Sequence, residues 1–208
     1  MEPTLPVFAI ERHRLLTDGQ GVTTLVGAYG CPLSCRYCLN PHAWNPATLR
    51  KCKQFTPHAL YEKVKIDDLY FLATNGGVTF GGGESLLHVD FIKAFREICG
   101  IRWRVCVETS LQIPMENLET ALSCVDDFIV DIKDLNPAIY RAYTGKSVDT
   151  VLENLALLSR EKSSDNVRIR VPHIPGYNTD ADVEYSCNTL RRLGFLNPDV
   201  FSYVLRDR

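Results

Sequence analysis

Short runs of β-branched and aromatic residues alternate with stretches of helical periodicity along most of this 208-residue chain. The β-rich runs predict six strands, near residues 23–28, 77–80, 104–107, 128–132, 167–171 and 200–203. The helical patterns predict helices near 57–64, 89–98, 114–123, 150–161 and 180–193. This succession is typical of a parallel α/β sheet with helical crossovers, either open or curled into a barrel. The length suits one core, so we expect a single α/β domain over residues 1–208.

The net charge and the N-terminal composition argue against a nucleic-acid partner, a signal peptide and a membrane partner. The formal net charge is −2 and no basic stripe is present, so we expect no nucleic-acid partner. The N-terminal segment MEPTLPVFAIERHRL has acid and proline where a signal peptide needs a basic start and an unbroken apolar core. No apolar run approaches the ~20 residues of a membrane span. We therefore expect a cytoplasmic protein without a membrane partner.

Three of the eight cysteines, Cys31, Cys35 and Cys38, fall within eight positions. The spacing C-x3-C-x2-C is compact enough for one loop to wrap an iron–sulfur cubane. Three thiolates leave the fourth iron of a [4Fe-4S] cluster open to a substrate or cofactor. A purely electron-transferring cluster would normally have a fourth cysteine, and structural zinc takes four ligands. His42 could complete a Cys3His zinc site, so on spacing alone zinc is the alternative.

The other five cysteines are scattered along the chain. Four of them lie among apolar residues of predicted helices or strands, where a free thiol behaves as a small buried hydrophobe: Cys99, Cys106, Cys124 and Cys187. Cys52 differs because it lies in the polar stretch LRKCKQF just after the triplet. Its role is open, and a fourth cluster ligand is one reading of it.

Polar or glycine-rich segments follow the ends of five consecutive predicted strands. In chain order they are the cysteine triplet, GGGE, ETS, DIKD and Arg170. Parallel α/β folds place functional residues beyond the carboxyl ends of their strands, so we expect these segments to meet at one mouth. Alone, GGGE would be a turn and DIKD a surface ion pair. Their shared position favours a functional site.

The motif C-x3-C-x-aromatic-C, with Tyr37 in the aromatic position, resembles the signature of the radical S-adenosylmethionine (SAM) superfamily. The resemblance implies a partial (β/α)6 barrel in which the open iron binds the amino and carboxylate groups of SAM. It further implies reductive cleavage of SAM to methionine and a 5′-deoxyadenosyl radical that abstracts hydrogen from a substrate. The cofactor carries that chemistry. The electron would come from a reductant such as flavodoxin or ferredoxin.

The segment GGVTFGGGESLLH resembles the family's Gly-Gly-Glu segment, here Gly82, Gly83 and Glu84. Glycines allow close backbone approach to a ligand, and the resemblance implies that the carboxylate accepts from the methionine ammonium of SAM.

The segments RVCVETS and FIVDIKDL are similar to strand ends of glycyl-radical-enzyme activating enzymes of the pyruvate formate-lyase activating type. The resemblance implies that Lys133 pairs with the SAM carboxylate and that Asp131, Thr109 and Glu108 line a monovalent cation site. Ser110 completes the ETS segment of the implied SAM site. Glu108 stands where those enzymes have aspartate, and its extra methylene weakens the case for the cation.

The segment RIRVPHIPGYNTD resembles the R-x-P-x-I-P-G-x-N segment of the same enzymes. Arg170 either contacts SAM or holds a strand end by ion pairing, and both interpretations stay open. His173 is interpreted as a loop residue rather than a catalyst. Beyond the cluster and the SAM site, no catalytic residue is predicted.

The similarity runs from about residue 18 to residue 203, but it weakens before the cluster. Gln20, Thr23 and Gly27 stand where activating enzymes usually have proline, arginine and phenylalanine. The ferredoxin-like insert is missing, and Val204 stands about where a histidine is found. We expect hydrogen abstraction from a backbone glycine of a partner glycyl-radical enzyme. The alternatives are a small-molecule or peptide substrate and, less favoured, a non-catalytic iron–sulfur or zinc protein.

Overall fold

The computed structural model describes residues 2–15 and 17–203, so Val204 lies outside the described residues. Eight strands are found in this part of the chain: β1 (Leu5–Leu15), β2 (Val22–Ala28), β3 (Lys53–Phe55), β4 (Gly77–Gly82), β5 (Arg104–Thr109), β6 (Asp127–Asp131), β7 (Val167–His173) and β8 (Asp199–Ser202). Eight α-helices are found there as well: α1 (Pro46–Leu49), α2 (Pro57–Val64), α3 (Asp68–Thr74), α4 (Val89–Cys99), α5 (Met115–Leu122), α6 (Pro137–Thr144), α7 (Asp149–Glu161) and α8 (Asp180–Arg192).

All the strands belong to one sheet in the order β3-β1-β2-β4-β5-β6-β7-β8. The strands from β2 to β8 in this order are parallel, and they match the six predicted strands. The α/β prediction is confirmed. β1 and β3 extend the sheet as antiparallel strands, which the sequence did not predict. Among the described residues, no helix combines the length and apolarity needed to cross a membrane.

The sheet curves, as the predicted partial (β/α)6 barrel requires. Arg170 on β7 donates a hydrogen bond to the carbonyl of Thr17, in the turn between β1 and β2. β7 lies four positions from β2 in the sheet, and neighbouring strands are about 4.8 Å apart. A flat sheet would hold these residues too far apart, so the sheet bends and the β1–β2 turn folds over its concave side.

Alternation along the parallel strands separates two faces. The outer face is apolar and packs under the helices, with Val78, Val107 and Phe128 all fully buried. Helix α4 contributes Phe91 and Phe95 to the same core. The four cysteines assigned to the apolar interior, Cys99, Cys106, Cys124 and Cys187, are buried and free, which confirms their assignment. The concave face carries the polar residues.

A β-bulge in β1 decides which of its charged residues reach the concave face. The register shifts between Glu11 and Arg14, and His13 has a φ of 59°. Arg12 and His13 therefore both turn outward to Asp67, whose side chain is 0% exposed. Arg14 turns inward and pairs with Asp18 in the β1–β2 turn.

Replacement of Asp67 by asparagine is expected to lower the free energy of unfolding by about 1–3 kcal/mol. Burial alone would raise the pKa of Asp67, but hydrogen bonds from Arg12 and Thr24 outweigh it and hold the pKa below its ordinary value. The stabilisation is thus present above pH ~4 and is lost as the pH falls through the lowered pKa. Denaturant titration of the wild type and of Asp67→Asn, at neutral and at acidic pH, measures this difference in the free energy of unfolding.

Glu62→Gln is the matched control, because Glu62 is exposed and forms an ion pair with Lys65, one turn away on the surface. We expect a change within about 0.5 kcal/mol for this variant. If Asp67→Asn and Glu62→Gln lower the free energy of unfolding equally, Asp67 does not stabilise the bulge.

Candidate active site

A cavity of about 370 Å³ opens on the concave face of the sheet. Its wall includes every predicted site residue except Tyr37: Cys31, Cys35, Cys38, Gly82, Gly83, Glu84, Glu108, Thr109, Ser110, Asp131, Lys133 and Arg170. Five segments that are distant in sequence thus meet in one place, as their position after parallel strands predicts. Residues from elsewhere complete the wall: Glu11, Arg14, Asp18, Leu25, Leu33, Leu39, Asn40 and Tyr203.

The cysteine loop follows β2 and is fastened to two neighbours. On one side, the backbone N–H of Glu84 donates to the carbonyl of Gly30 at 2.7 Å. On the other side, the N–H groups of Ser34 and Arg36 donate to the last carbonyls of α6, each at 3.2 Å. Carbonyls at a helix C-terminus have no intrahelical partner, so the loop satisfies them while they hold it in place.

The three thiols are free and partly buried on the same wall. In the described residues, no three His, Cys, Asp or Glu side chains are grouped closely enough to share one metal ion. In a [4Fe-4S] cubane each thiolate binds a different iron, so the three cysteines need not share one ion. Burial raises the pKa of Cys31 to about 12, so a thiolate there needs a strong positive partner, which iron supplies. His42 lies outside the cavity wall. The residues present fit a cluster.

Glu84 is 1% exposed and joins the end of β4 to the end of β5. Its carboxylate accepts from the Thr109 hydroxyl at 2.7 Å and from the backbone and hydroxyl of Ser110 at 2.8 and 2.6 Å. The N–H of Leu86 adds a longer contact of 3.4 Å. Burial raises the pKa of Glu84, and these donors counter the rise. Glu84 therefore fixes the Thr109–Ser110 corner of the cavity, and its predicted contact with the SAM ammonium stays a prediction.

The glycines before Glu84 allow the strand ends to pack closely. A Cβ on Gly83 would lie 2.2 Å from the carbonyl oxygen of Gly30, in the cysteine loop. Gly82 has a φ of 89°, and a Cβ there would lie 2.7 Å from the ring of Phe8. Only glycine fits at either position, so this segment brings its backbone up to the cysteine loop.

Four charged side chains form a row across the cavity floor. The Arg170 guanidinium lies 3.2 Å from Glu108 and 3.8 Å from Asp131, and Lys133 lies 3.8 Å from Asp131. Burial, then the charge of Asp131, raises the pKa of Glu108 to about 7. Burial would lower the pKa of Lys133, but the charge of Asp131 raises it well above its ordinary value, so Lys133 stays cationic.

The expectation that Arg170 ends its strand was wrong. β7 continues to His173, because the Pro172–His173 segment still pairs with β8. Arg170 therefore projects from within the strand onto the concave face. Of its two open interpretations, ion pairing is the one the structure displays.

Tyr37 lies behind the cavity wall, between Cys35 and Cys38. Its ring packs on Tyr143 and Tyr177, with centroids 6.2 and 5.8 Å apart. Tyr143 belongs to α6 and Tyr177 to the turn after β7. The aromatic residue of the motif therefore packs the cysteine loop against two segments that are distant in sequence.

Sequence reasoning missed Arg14 and Asp18, because both sit in a hairpin that was not predicted. Asp18 is 5% exposed, and its carbonyl accepts from the hydroxyls of Thr23 and Thr79. Only the register of the folded hairpin reveals them, since Arg14 lies directly across from Thr23. Position 23 is where activating enzymes usually have arginine, so a guanidinium reaches the same region from the adjacent strand.

Residues 25–189 match the model of the radical SAM superfamily. The chain therefore belongs to the radical SAM superfamily and is a radical SAM enzyme. Membership in this family brings a [4Fe-4S] cluster and SAM as cofactors, which confirms the prediction from the cysteine triplet and disfavours the non-catalytic alternative.

Similar proteins of known function are activating enzymes. The chain is 29% identical to the (2S)-3-sulfopropanediol dehydratase activating enzyme of Klebsiella oxytoca, over 84% of this chain and 73% of that one. It is 30% identical to the pyruvate formate-lyase 2-activating enzyme of Escherichia coli, over 82% and 67%. Among solved structures, Streptococcus suis SuiB bound to precursor peptide SuiA matches with a TM-score of 0.66 at 12% identity, over 92% and 41%. TYW1 with a lysine-pyruvate adduct matches with a TM-score of 0.59 at 18% identity, over 88% and 65%. These two likenesses concern the fold.

Proposed function

We propose that this enzyme activates a partner glycyl-radical enzyme by abstracting hydrogen from one of its backbone glycines. The observation that carries the proposal is the similarity to activating enzymes over more than four-fifths of the chain. The cavity supports it, because cysteines and glycines after two strands and charged groups from three others line one wall.

In this proposal, Cys31, Cys35 and Cys38 would hold the cluster, which would supply the electron that cleaves SAM to methionine and a 5′-deoxyadenosyl radical. Lys133 would bind the SAM carboxylate, since it stays cationic on the cavity floor. The backbone of Gly82 and Gly83 would bind the methionine moiety, and Glu84 holds Thr109 and Ser110 in position for it. Each of these residues binds or orients the cofactor.

We further propose a single radical SAM core domain over residues 1–208, without a ferredoxin-like insert. One continuous sheet and one hydrophobic core support this organisation. A flavodoxin or ferredoxin is proposed as the reductant, and the cytoplasm as the location, since such carriers work there.

The first expected result concerns the cofactor chemistry. The chain is reconstituted anaerobically with iron and sulfide and mixed with dithionite and SAM. We expect release of 5′-deoxyadenosine and methionine in equal amounts, measured by liquid chromatography. A mixture without dithionite is the control. An intact cluster, verified spectroscopically, that releases neither product would contradict SAM cleavage.

The second step tests the substrate. A candidate partner glycyl-radical enzyme is added, and electron paramagnetic resonance is expected to show a glycine-centred radical. A partner variant with alanine in place of the radical-bearing glycine is the control and should give no such signal. SAM cleavage without a glycyl radical would instead favour a small-molecule or peptide substrate, in line with the departures at Gln20, Thr23 and Gly27.

A further inference from the structure

The charged row on the cavity floor pairs acidic side chains with basic ones. Two carboxylates, Glu108 and Asp131, face two cations, Arg170 and Lys133, and all four side chains are at most one-third exposed. Arg170 lies between the two carboxylates, within ion-pair distance of each. A third contact, from its guanidinium to the carbonyl of Thr17, fixes the side chain across the cavity.

The residues that the family resemblance assigns to a monovalent cation line the same cavity, but their side chains are bound to other partners. The Thr109 hydroxyl is buried and donates to Glu84 at 2.7 Å. Glu108 and Asp131 are instead bridged by Arg170. The side chains present therefore do not fit the implied cation.

We propose that the Arg170 guanidinium takes the place of the monovalent cation beside SAM, so that this enzyme binds SAM without sodium or potassium. A cation between two carboxylates offsets their repulsion of the SAM carboxylate that approaches Lys133. A guanidinium does this with a permanent charge and several directed donors. The longer side chain of Glu108, compared with aspartate, brings its carboxylate within 3.2 Å of that guanidinium. Arg170 is thus a positioning residue. The inference rests on the SAM site proposed above.

The test measures SAM binding apart from turnover. Reconstituted enzyme with an oxidised cluster, which has no electron to donate to SAM, is titrated with SAM in a buffer whose only monovalent cation is tetramethylammonium. The titration is repeated with potassium chloride and with sodium chloride at equal ionic strength. Isothermal titration calorimetry gives the SAM dissociation constant in each buffer. We expect the same constant in all three buffers. A dissociation constant that rises about 10-fold or more without potassium and sodium would overturn the proposal.

Arg170→Gln supplies a positive control for the method. Without the guanidinium, Glu108 and Asp131 repel each other and the SAM carboxylate, so we expect SAM binding at least about 10-fold weaker. Potassium or sodium should restore part of that loss, because a small ion can now enter between the carboxylates. If Arg170→Gln binds SAM more weakly and neither potassium nor sodium improves the binding, the proposal that Arg170 replaces a monovalent cation is contradicted.

Arg160→Gln is the matched variant, since Arg160 is an exposed arginine in the last turn of α7. It removes the same charge outside the cavity wall, so SAM binding should keep its wild-type strength and remain independent of potassium and sodium. If Arg170→Gln does not fold, the wild-type titrations still decide the question. Failure of the proposed function appears differently, as absent 5′-deoxyadenosine or absent glycyl radical in every buffer.

Discussion

Replacement of Cys35 by alanine is expected to leave the enzyme unable to hold its cluster or to release 5′-deoxyadenosine. Cys35 lies on the cavity wall with Cys31 and Cys38, and a cluster with one site open for SAM has no thiolate to spare. Burial raises the pKa of Cys35, so a thiolate there needs positive charge nearby, which iron supplies. Iron content and visible absorption after reconstitution measure the first loss, and product chromatography measures the second.

Cys52→Ala is the matched control for this prediction. Cys52 lies just before β3, outside the cavity wall, and is a free, half-buried thiol. We expect this variant to retain the iron and the activity of the wild type. Loss of the cluster from Cys52→Ala would make Cys52 a ligand, and retention of the cluster by Cys35→Ala would contradict the ligand assignment itself.

Replacement of Lys133 by methionine is expected to weaken SAM binding by about 2 kcal/mol or more, which is a ~30-fold higher dissociation constant. Methionine keeps most of the side-chain volume but removes the charge that faces the SAM carboxylate. It also leaves Asp131 with Arg170 as its remaining cation in the row. Calorimetric titration of the enzyme with SAM, with its cluster oxidised so that SAM is not cleaved, gives the dissociation constant.

Lys93→Met on the exposed face of α4 controls for the loss of one positive charge. Its SAM affinity should equal that of the wild type, because screened surface charges act weakly at this range. If Lys133→Met also binds SAM with wild-type affinity, the carboxylate is held by another group, and Arg170 is the next cation along the cavity.

The parallel part of the sheet could be predicted because its strands are local signals. Runs such as VTTLVGA and RVCVET are rich in β-branched residues and are bounded by turns. Such a run predicts a strand without reference to the rest of the chain. β1 escaped prediction because its charged second half has no regular alternation. The bulge at His13 interrupts the period, and the charges are satisfied by Asp67 and Asp18, which lie elsewhere in the chain.

The candidate site also has one part that the sequence predicts and another that only the tertiary structure reveals. Its cysteines, glycines and the ETS and DIKD segments are contiguous motifs, so the sequence marks them and the fold gathers them around one cavity. Arg14 and Asp18 belong to no such motif. They reach the cavity because a bulge rotates one strand and a turn folds over the concave side.

By itself, the sequence determined the family, the cofactors and the set of groups at the mouth of the barrel, because each follows from spacing within a short segment. Only the tertiary structure decided which of those groups pair. Thr109 turns to Glu84, while Glu108 turns to Arg170, which comes from a strand two positions away in the sheet. That choice depends on strand register and sheet curvature, which arise from packing over the whole chain.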